Sequence, residues 1–216
     1  MNVEEGLAQL LECDRRCRQQ ERELLEGGDP QALAQALRHA TTEAQATDSG
    51  QEDLPRLIGL WGQLGTAEAV TALFDLLLSD QAVAQAVAGE ELIELANENF
   101  KLFKTEAEKR LAAEGPFDAA IEGLAVILTE CRDERTVDVV LTMLGHKDSY
   151  VALAALEVAG EWGWEGAVQK AIARLKEDQR RLTLDDEEEG PVEVSLGELA
   201  TQVHDSLRAA LKGQQR

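Results

Sequence analysis

Residues 60–70, LWGQLGTAEAV, and residues 158–168, VAGEWGWEGAV, are two versions of one pattern that decides the predicted fold. In each stretch an apolar helical stripe runs into a glycine, and an Ala-Val pair that opens a second stripe follows that glycine. Gly163 lies 98 residues after Gly65, which corresponds to three repeats of roughly 33 residues, within the range of helical repeat proteins. The pattern therefore predicts pairs of antiparallel helices joined by tight turns.

A second recurrence supports the same period. The pattern Asp-x-x-Val-x-x-Ala of residues 80–86 recurs in residues 148–154, 68 residues further on, which is two repeats. One helix pair cannot bury both of its apolar stripes, so pairs of this kind stack on one another. The sequence predicts an all-α fold, a right-handed α-solenoid of about four antiparallel helix pairs. An irregular helical bundle is the alternative.

The residues of these repeats resemble a known family of helical repeats. Residues 60–65 with Ala69-Val70, and residues 148–163 with Ala167-Val168, are similar to short HEAT-like repeats of the type found in bilin-lyase accessory subunits. The resemblance covers about residues 54–178 and includes no active-site motif. It implies a fold and a habit of binding other proteins.

The flanking segments predict the domain organisation. Asp29-Pro30 is an N-cap followed by proline at the first helical position, and Ser195 with Glu198 forms a capping box. Five consecutive acidic residues precede Gly190-Pro191, which predicts a mobile segment. We therefore expect an N-terminal helical cap (1–46), a HEAT-like solenoid (54–178), an acidic linker (179–194) and a C-terminal helix (195–216).

Strand signals are almost absent from the sequence, with Val192 and Val194 an isolated pair. The C-terminal helix is expected either to cap the solenoid or to bind elsewhere, and capping is favoured because solenoid ends need covering. The acidic linker would allow this helix to detach.

The charge of the chain restricts its partners. The 42 acidic and 21 basic residues give a net charge of −21, which disfavours binding to nucleic acid and to anionic membranes. A basic surface or tail of another protein would be attracted. The acidic N-terminus predicts no secretory signal, and the apolar runs are too short to cross a membrane. These features indicate a cytoplasmic protein with buried free thiols at Cys13, Cys17 and Cys131.

No arrangement of residues in the sequence predicts catalysis. The chain lacks phosphate-loop, dinucleotide-binding, zinc-protease and serine-hydrolase motifs, so no catalytic residue, cofactor or metal is assigned. The three histidines, His39, His146 and His204, are scattered, and His146 is expected to be exposed in a turn. Trp61 and Trp162 lie on core stripes, whereas Trp164 falls at a polar position of the repeat, where it would be a surface anchor.

The predicted binding site is the polar face of the second helix of each pair, which lines the concave surface of HEAT-like solenoids. Its candidate residues are Glu68, Thr71, Asp75, Arg135, Asp138, Thr142, Trp164, Glu165 and Gln169. This face is mixed but net acidic. The sequence therefore predicts a non-enzymatic scaffold or adaptor that binds another protein. An accessory subunit or maturation factor of an enzyme, and an acidic inhibitor that mimics nucleic acid, are the alternatives.

Overall fold

The computed structural model describes residues 3–113, 118–131, 134–162, 166–186 and 190–214. Helix accounts for 81% of the structure and sheet for little, so the fold is mostly α-helical, as predicted. The helices are α1 (Val3–Gly27), α2 (Pro30–Gln45), α3 (Leu54–Leu64), α4 (Ala67–Leu76), α5 (Ala82–Glu98), α6 (Phe100–Ala112), α7 (Ala119–Cys131), α8 (Val137–Leu144), α9 (Ser149–Trp162), α10 (Ala167–Leu175) and α11 (Leu196–Gln214). A hairpin of strands β1 (Arg181–Asp186) and β2 (Gly190–Ser195) precedes α11. The chain forms two compact units, Met1–Glu91 and Leu92–Arg216.

In the first unit, helix limits follow the predicted caps. The Asp29 side chain accepts a hydrogen bond from the Gln31 amide at 3.2 Å, and Pro30 begins α2. Gly65 ends α3 with a φ of 59°, a left-handed conformation that glycine adopts without a steric penalty. These local signals confirm the predicted limits of both helices.

The core of the first unit forms where α3 packs between its neighbours. Helix α1 contacts α2 and α3, and α2 contacts α3 and α4. Trp61 is 1% exposed, and its Nε1 donates a hydrogen bond to Thr41 Oγ1 at 3.2 Å. The predicted core position of Trp61 is confirmed, and Thr41 satisfies the indole N–H that burial removes from water.

In the second unit, alternate helices are neighbours. Helix α9 contacts α7 and α11, while α8 contacts α6 and α10. The helices α7, α9 and α11 contact the helices α6, α8 and α10 at two places, where α8 packs on α9 and where α10 packs on α11. The core of this unit is apolar, and its largest fully buried side chains are Leu92, Phe103, Leu124, Ile127, Leu128, Met143 and Leu144.

The acidic linker expected over residues 179–194 is wrong for most of its length. Strands β1 and β2 pair antiparallel there, with Leu182 opposite Val194 and Leu184 opposite Val192. The alternation of apolar and polar residues gives each strand one apolar side, and Leu182 is 2% exposed. Strand pairing and the burial of Leu182 therefore order the described part of a segment that its charge predicted to be mobile. Residues 187–189 of that linker lie outside the described residues.

The Tyr150 hydroxyl connects this hairpin to α9 through two hydrogen bonds. It donates to the Thr183 carbonyl at 3.2 Å and accepts from the Thr183 amide at 3.3 Å. Helix α11 then begins directly after β2, with the predicted capping box formed by Ser195 and Glu198. Strand β2, rather than the expected linker, directly precedes α11, and detachment of this helix stays a prediction.

Helix α11 is seated on α9 and α10 of its own unit. The Gly197 amide donates to the Asp178 carbonyl at 3.1 Å, and a Cβ atom at position 197 would lie 2.6 Å from the Lys176 carbonyl oxygen. Lys176 Nζ lies 3.4 Å from Asp205 Oδ1. The absence of a side chain at Gly197 thus permits the close approach that holds the start of α11.

Candidate functional site

The predicted acidic face of the first unit is largely engaged within that unit. Glu68 is half-buried, and its Oε1 accepts a hydrogen bond from Arg38 of α2 at 2.9 Å. Thr71 donates its hydroxyl hydrogen bond to the Ala67 carbonyl of its own helix at 3.0 Å. Asp75 is exposed beside Arg38 and Trp61 at a small cavity of about 170 Å³. The charge of Glu68 is therefore compensated by a neighbouring helix.

The same arrangement occurs in the second unit. Asp138 Oδ2 lies 2.5 Å from Lys104 Nζ of α6, and this hydrogen bond raises the pKa of Lys104. The Arg135 guanidinium carbon stands 5.2 Å from the centre of the Phe100 ring. Thr142 donates to the Asp138 carbonyl at 2.9 Å. Asp138 thus joins α8 to α6, Arg135 joins the turn before α8 to α6, and Thr142 bonds within α8.

The remaining predicted site residues are Gln169, Trp164 and Glu165. Gln169 of α10 is half-buried, and its Nε2 is buried without a hydrogen-bond partner among the described residues. Trp164 and Glu165 lie outside the described residues, as does the side chain of Trp162. The structure brings Glu68, Thr71 and Asp75 together on α4, and Arg135, Asp138 and Thr142 around α8, but internal pairs occupy the acidic members Glu68 and Asp138.

A different surface combines exposed apolar groups with carboxylates. An open groove of about 550 Å³ runs between α7 and α9. We call it the α7–α9 groove and define it by its small or apolar members and its glutamates. They are Ala125, Val126, Thr129, Tyr150, Leu153, Ala154 and Val158, with Glu122, Glu130, Glu157 and Glu161. Val126 is 56% exposed and Tyr150 is 37% exposed, so the groove presents apolar surface to water.

The carboxylates of the α7–α9 groove differ from Glu68 and Asp138 in their ion pairing. Within the described part of the chain, no Lys, Arg or His side chain forms an ion pair with any of the four glutamates. Partial burial raises the pKa of Glu157, and the negative charges of Glu122 and Glu161 raise it further. The groove therefore holds repelling negative charge beside apolar surface, and a cation placed there would relieve that repulsion.

Sequence reasoning missed this groove because it assigned binding to the second helix of each pair. A signal was nevertheless present. Glu122 and Glu130 are eight residues apart around Val126, and Glu157 and Glu161 are one helical turn apart. In both helices, acidic residues occur within the apolar runs. A helix face that the rest of the chain covered completely would be apolar at these positions.

Histidine and cysteine positions also differ from expectation. His146 is half-buried rather than exposed, because Nδ1 accepts from the Asp148 amide at 3.1 Å and Nε2 lies 3.0 Å from the Leu111 carbonyl oxygen. Nδ1 is the acceptor, so the hydrogen sits on Nε2. Cys13 is exposed, and Cys17 and Cys131 are half-buried, so the expectation of buried thiols is wrong. Among the described residues, no three His, Cys, Asp or Glu side chains cluster in a way that could hold a metal ion.

Comparison of the chain with protein-family models, with curated proteins and with solved structures found no match. In the described ranges, no helix combines the length and apolar character needed to span a bilayer.

Proposed function

We propose that the protein is a non-enzymatic scaffold or adaptor, built as an α-solenoid of HEAT-like helix pairs, that holds a basic segment of another protein in the α7–α9 groove. The observation that carries this proposal is the coincidence of exposed Val126 and Tyr150 with four carboxylates that lack ion-pair partners among the described residues.

The solenoid part of the proposal draws on the contacts within each unit. In the second unit α7, α9 and α11 contact in sequence, and so do α6, α8 and α10. In the first unit α1 contacts α3, and α2 contacts α4. Alternate-helix contact is what stacked hairpins require, and the ion pairs Arg38–Glu68 and Lys104–Asp138 join alternate helices in the same manner.

The groove suits recognition better than chemistry. Burial of Val126 by a partner would supply apolar free energy, while lysine or arginine side chains would meet the glutamates and speed association. An excess of negative charge over the whole chain adds long-range attraction for a basic partner. Both contributions act on the same surface, so one segment of a partner can use them together.

The test compares two exposed valines of nearly equal accessibility. Val126 of α7 and Val83 of α5 are 56% and 54% exposed. Proteins captured by the 216-residue chain would be purified, and their affinities measured for wild type, Val126→Asp and Val83→Asp. We expect Val126→Asp to weaken binding by at least about tenfold and Val83→Asp to leave it unchanged.

Two results would contradict the proposal. If Val126→Asp binds every purified partner as tightly as wild type while circular dichroism shows a folded chain, the groove is not the docking surface. If the purified chain by itself turns over a small molecule, the protein is an enzyme rather than a scaffold.

A further inference from the structure

We infer that the occupant of the α7–α9 groove is an amphipathic α-helix with lysine or arginine on both edges of its apolar face. This inference rests on the proposed function and specifies the partner of the same site.

The backbone of the groove walls favours a helix over an extended segment. Both walls are α-helices, whose backbone amides and carbonyls are paired within each helix. An extended peptide gains affinity chiefly by adding a strand to a free sheet edge, and these walls offer none. A helical occupant satisfies its own backbone hydrogen bonds and can be desolvated without losing them.

The side chains of the groove match the shape of a helix. Ala125 and Ala154 line the floor and are 9% and 5% exposed, and small residues allow a helix to approach closely. Glutamates stand on both walls, Glu122 and Glu130 on α7 and Glu157 and Glu161 on α9. A strand projects alternate side chains to two opposite faces. If its apolar side chains contacted the floor, its remaining side chains would point to solvent rather than to the glutamates on the walls. A helix can direct apolar residues downward and cations to both sides.

The spacing of the carboxylates fits the same occupant. Glu122 and Glu130 are separated by roughly 12 Å along α7, and Glu157 and Glu161 by roughly 6 Å along α9, at 1.5 Å per residue. Basic residues one and two turns apart on a docked helix have these separations.

Helix α11 already packs on α9 in the same unit. A Cβ atom at Gly160 of α9 would lie 3.7 Å from Val203 Cγ1 of α11, and the ion pair between Lys176 and Asp205 joins the segment after α10 to α11. There the docked helix supplies the carboxylate, whereas an occupant of the α7–α9 groove would supply the cations.

Two peptides of identical composition test the inference with the 216-residue chain. Each has about 18 residues, with leucines at helical spacing flanked by lysines, and two prolines. In the first peptide the prolines stand at the N1 position and after the last turn, where a helix tolerates them, and in the second they stand at the centre, where they break it. Fluorescence anisotropy would give the affinities, and circular dichroism would report helix formation on binding.

We expect the helix-competent peptide to bind at least about tenfold more tightly and to gain helix on binding. Val126→Asp should abolish this preference, and Val83→Asp should retain it. Equal binding of the two peptides, lost in Val126→Asp, would overturn the helical occupant and leave the proposed groove intact. Binding that Val126→Asp does not weaken, or no binding of either peptide at low salt, would overturn both proposals.

Discussion

The folded chain disfavours the ionised form of Glu157. Partial burial and the nearby carboxylates of Glu122 and Glu161 disfavour its ionised form. A carboxylate whose folded-state pKa is raised binds its proton more tightly in the folded chain than in the unfolded chain. Its contribution to stability is therefore present at low pH and is lost as the pH rises through the raised folded pKa.

The variant Glu157→Gln should consequently be more stable than wild type at pH 7, by less than about 1 kcal/mol because the side chain is exposed and screened by solvent. The difference should shrink as the pH falls below the ordinary glutamate value of 4.5. Urea unfolding across this pH range measures it. Glu177→Gln removes an exposed carboxylate outside the groove and serves as the control. Equal free energies of unfolding for wild type and Glu157→Gln at every pH would show that the fold does not disfavour the ionised form of Glu157.

A second residue-scale prediction concerns the buried indole of Trp61. Thr41→Val keeps the shape of the side chain and removes the hydroxyl that accepts from Trp61 Nε1. Leaving that N–H unpaired in the core should lower the free energy of unfolding by about 1–3 kcal/mol. The neighbouring Thr42 is exposed, so Thr42→Val should change stability by less than about 0.5 kcal/mol. Similar unfolding curves for the two variants would argue against the hydrogen bond.

At the scale of single elements, local sequence signals set the ends of helices and tertiary contacts set their neighbours. Asp29, Gly65 and the Ser195–Glu198 capping box act through groups within a few residues, and sequence analysis predicted all three. The hairpin of β1 and β2 escaped prediction because neither strand is apolar enough by itself. Pairing between the two strands and burial of Leu182 supply the stabilisation that each strand lacks by itself.

The seat of α11 can be tested with a pair of glycines that should respond in opposite directions. Gly197→Ala would place a Cβ atom 2.6 Å from one backbone carbonyl oxygen and 2.8 Å from another, so we expect a loss of about 1–3 kcal/mol. The added Cβ atom of Gly89→Ala in α5 would meet no described residue within 4 Å, and this variant should stabilise the chain by about 0.5–1 kcal/mol. Thermal unfolding measures both variants. A Gly197→Ala protein as stable as wild type would contradict the close approach.

At the scale of the whole molecule, net charge acts on folding and on binding in opposite ways. With 42 acidic and 21 basic residues, the folded chain repels itself, and salt screens that repulsion. The same screening weakens attraction for a basic partner. A single change of ionic strength therefore separates the two effects of the charge.

Raising NaCl from about 50 mM to about 300 mM should increase the free energy of unfolding and reduce the affinity for the helix-competent peptide. Urea unfolding and fluorescence anisotropy in matched buffers measure the two quantities. Sodium sulfate at equal ionic strength would identify any salting-out contribution to stability. A fall in stability with NaCl would mean that the ion pairs of the fold outweigh its net repulsion.

The sequence by itself determined the helical class, several helix limits and the acidic character of the chain, because periodicity, capping and charge are properties of neighbouring residues. It also singled out Glu68 and Asp138, but their pairing with Arg38 and Lys104 depends on segments about thirty residues away. The tertiary structure alone decided the α7–α9 groove, the hairpin and the close approach at Gly197. Each of these arises where separate segments meet, and the free energy of such contacts depends on burial and distance that no single segment specifies.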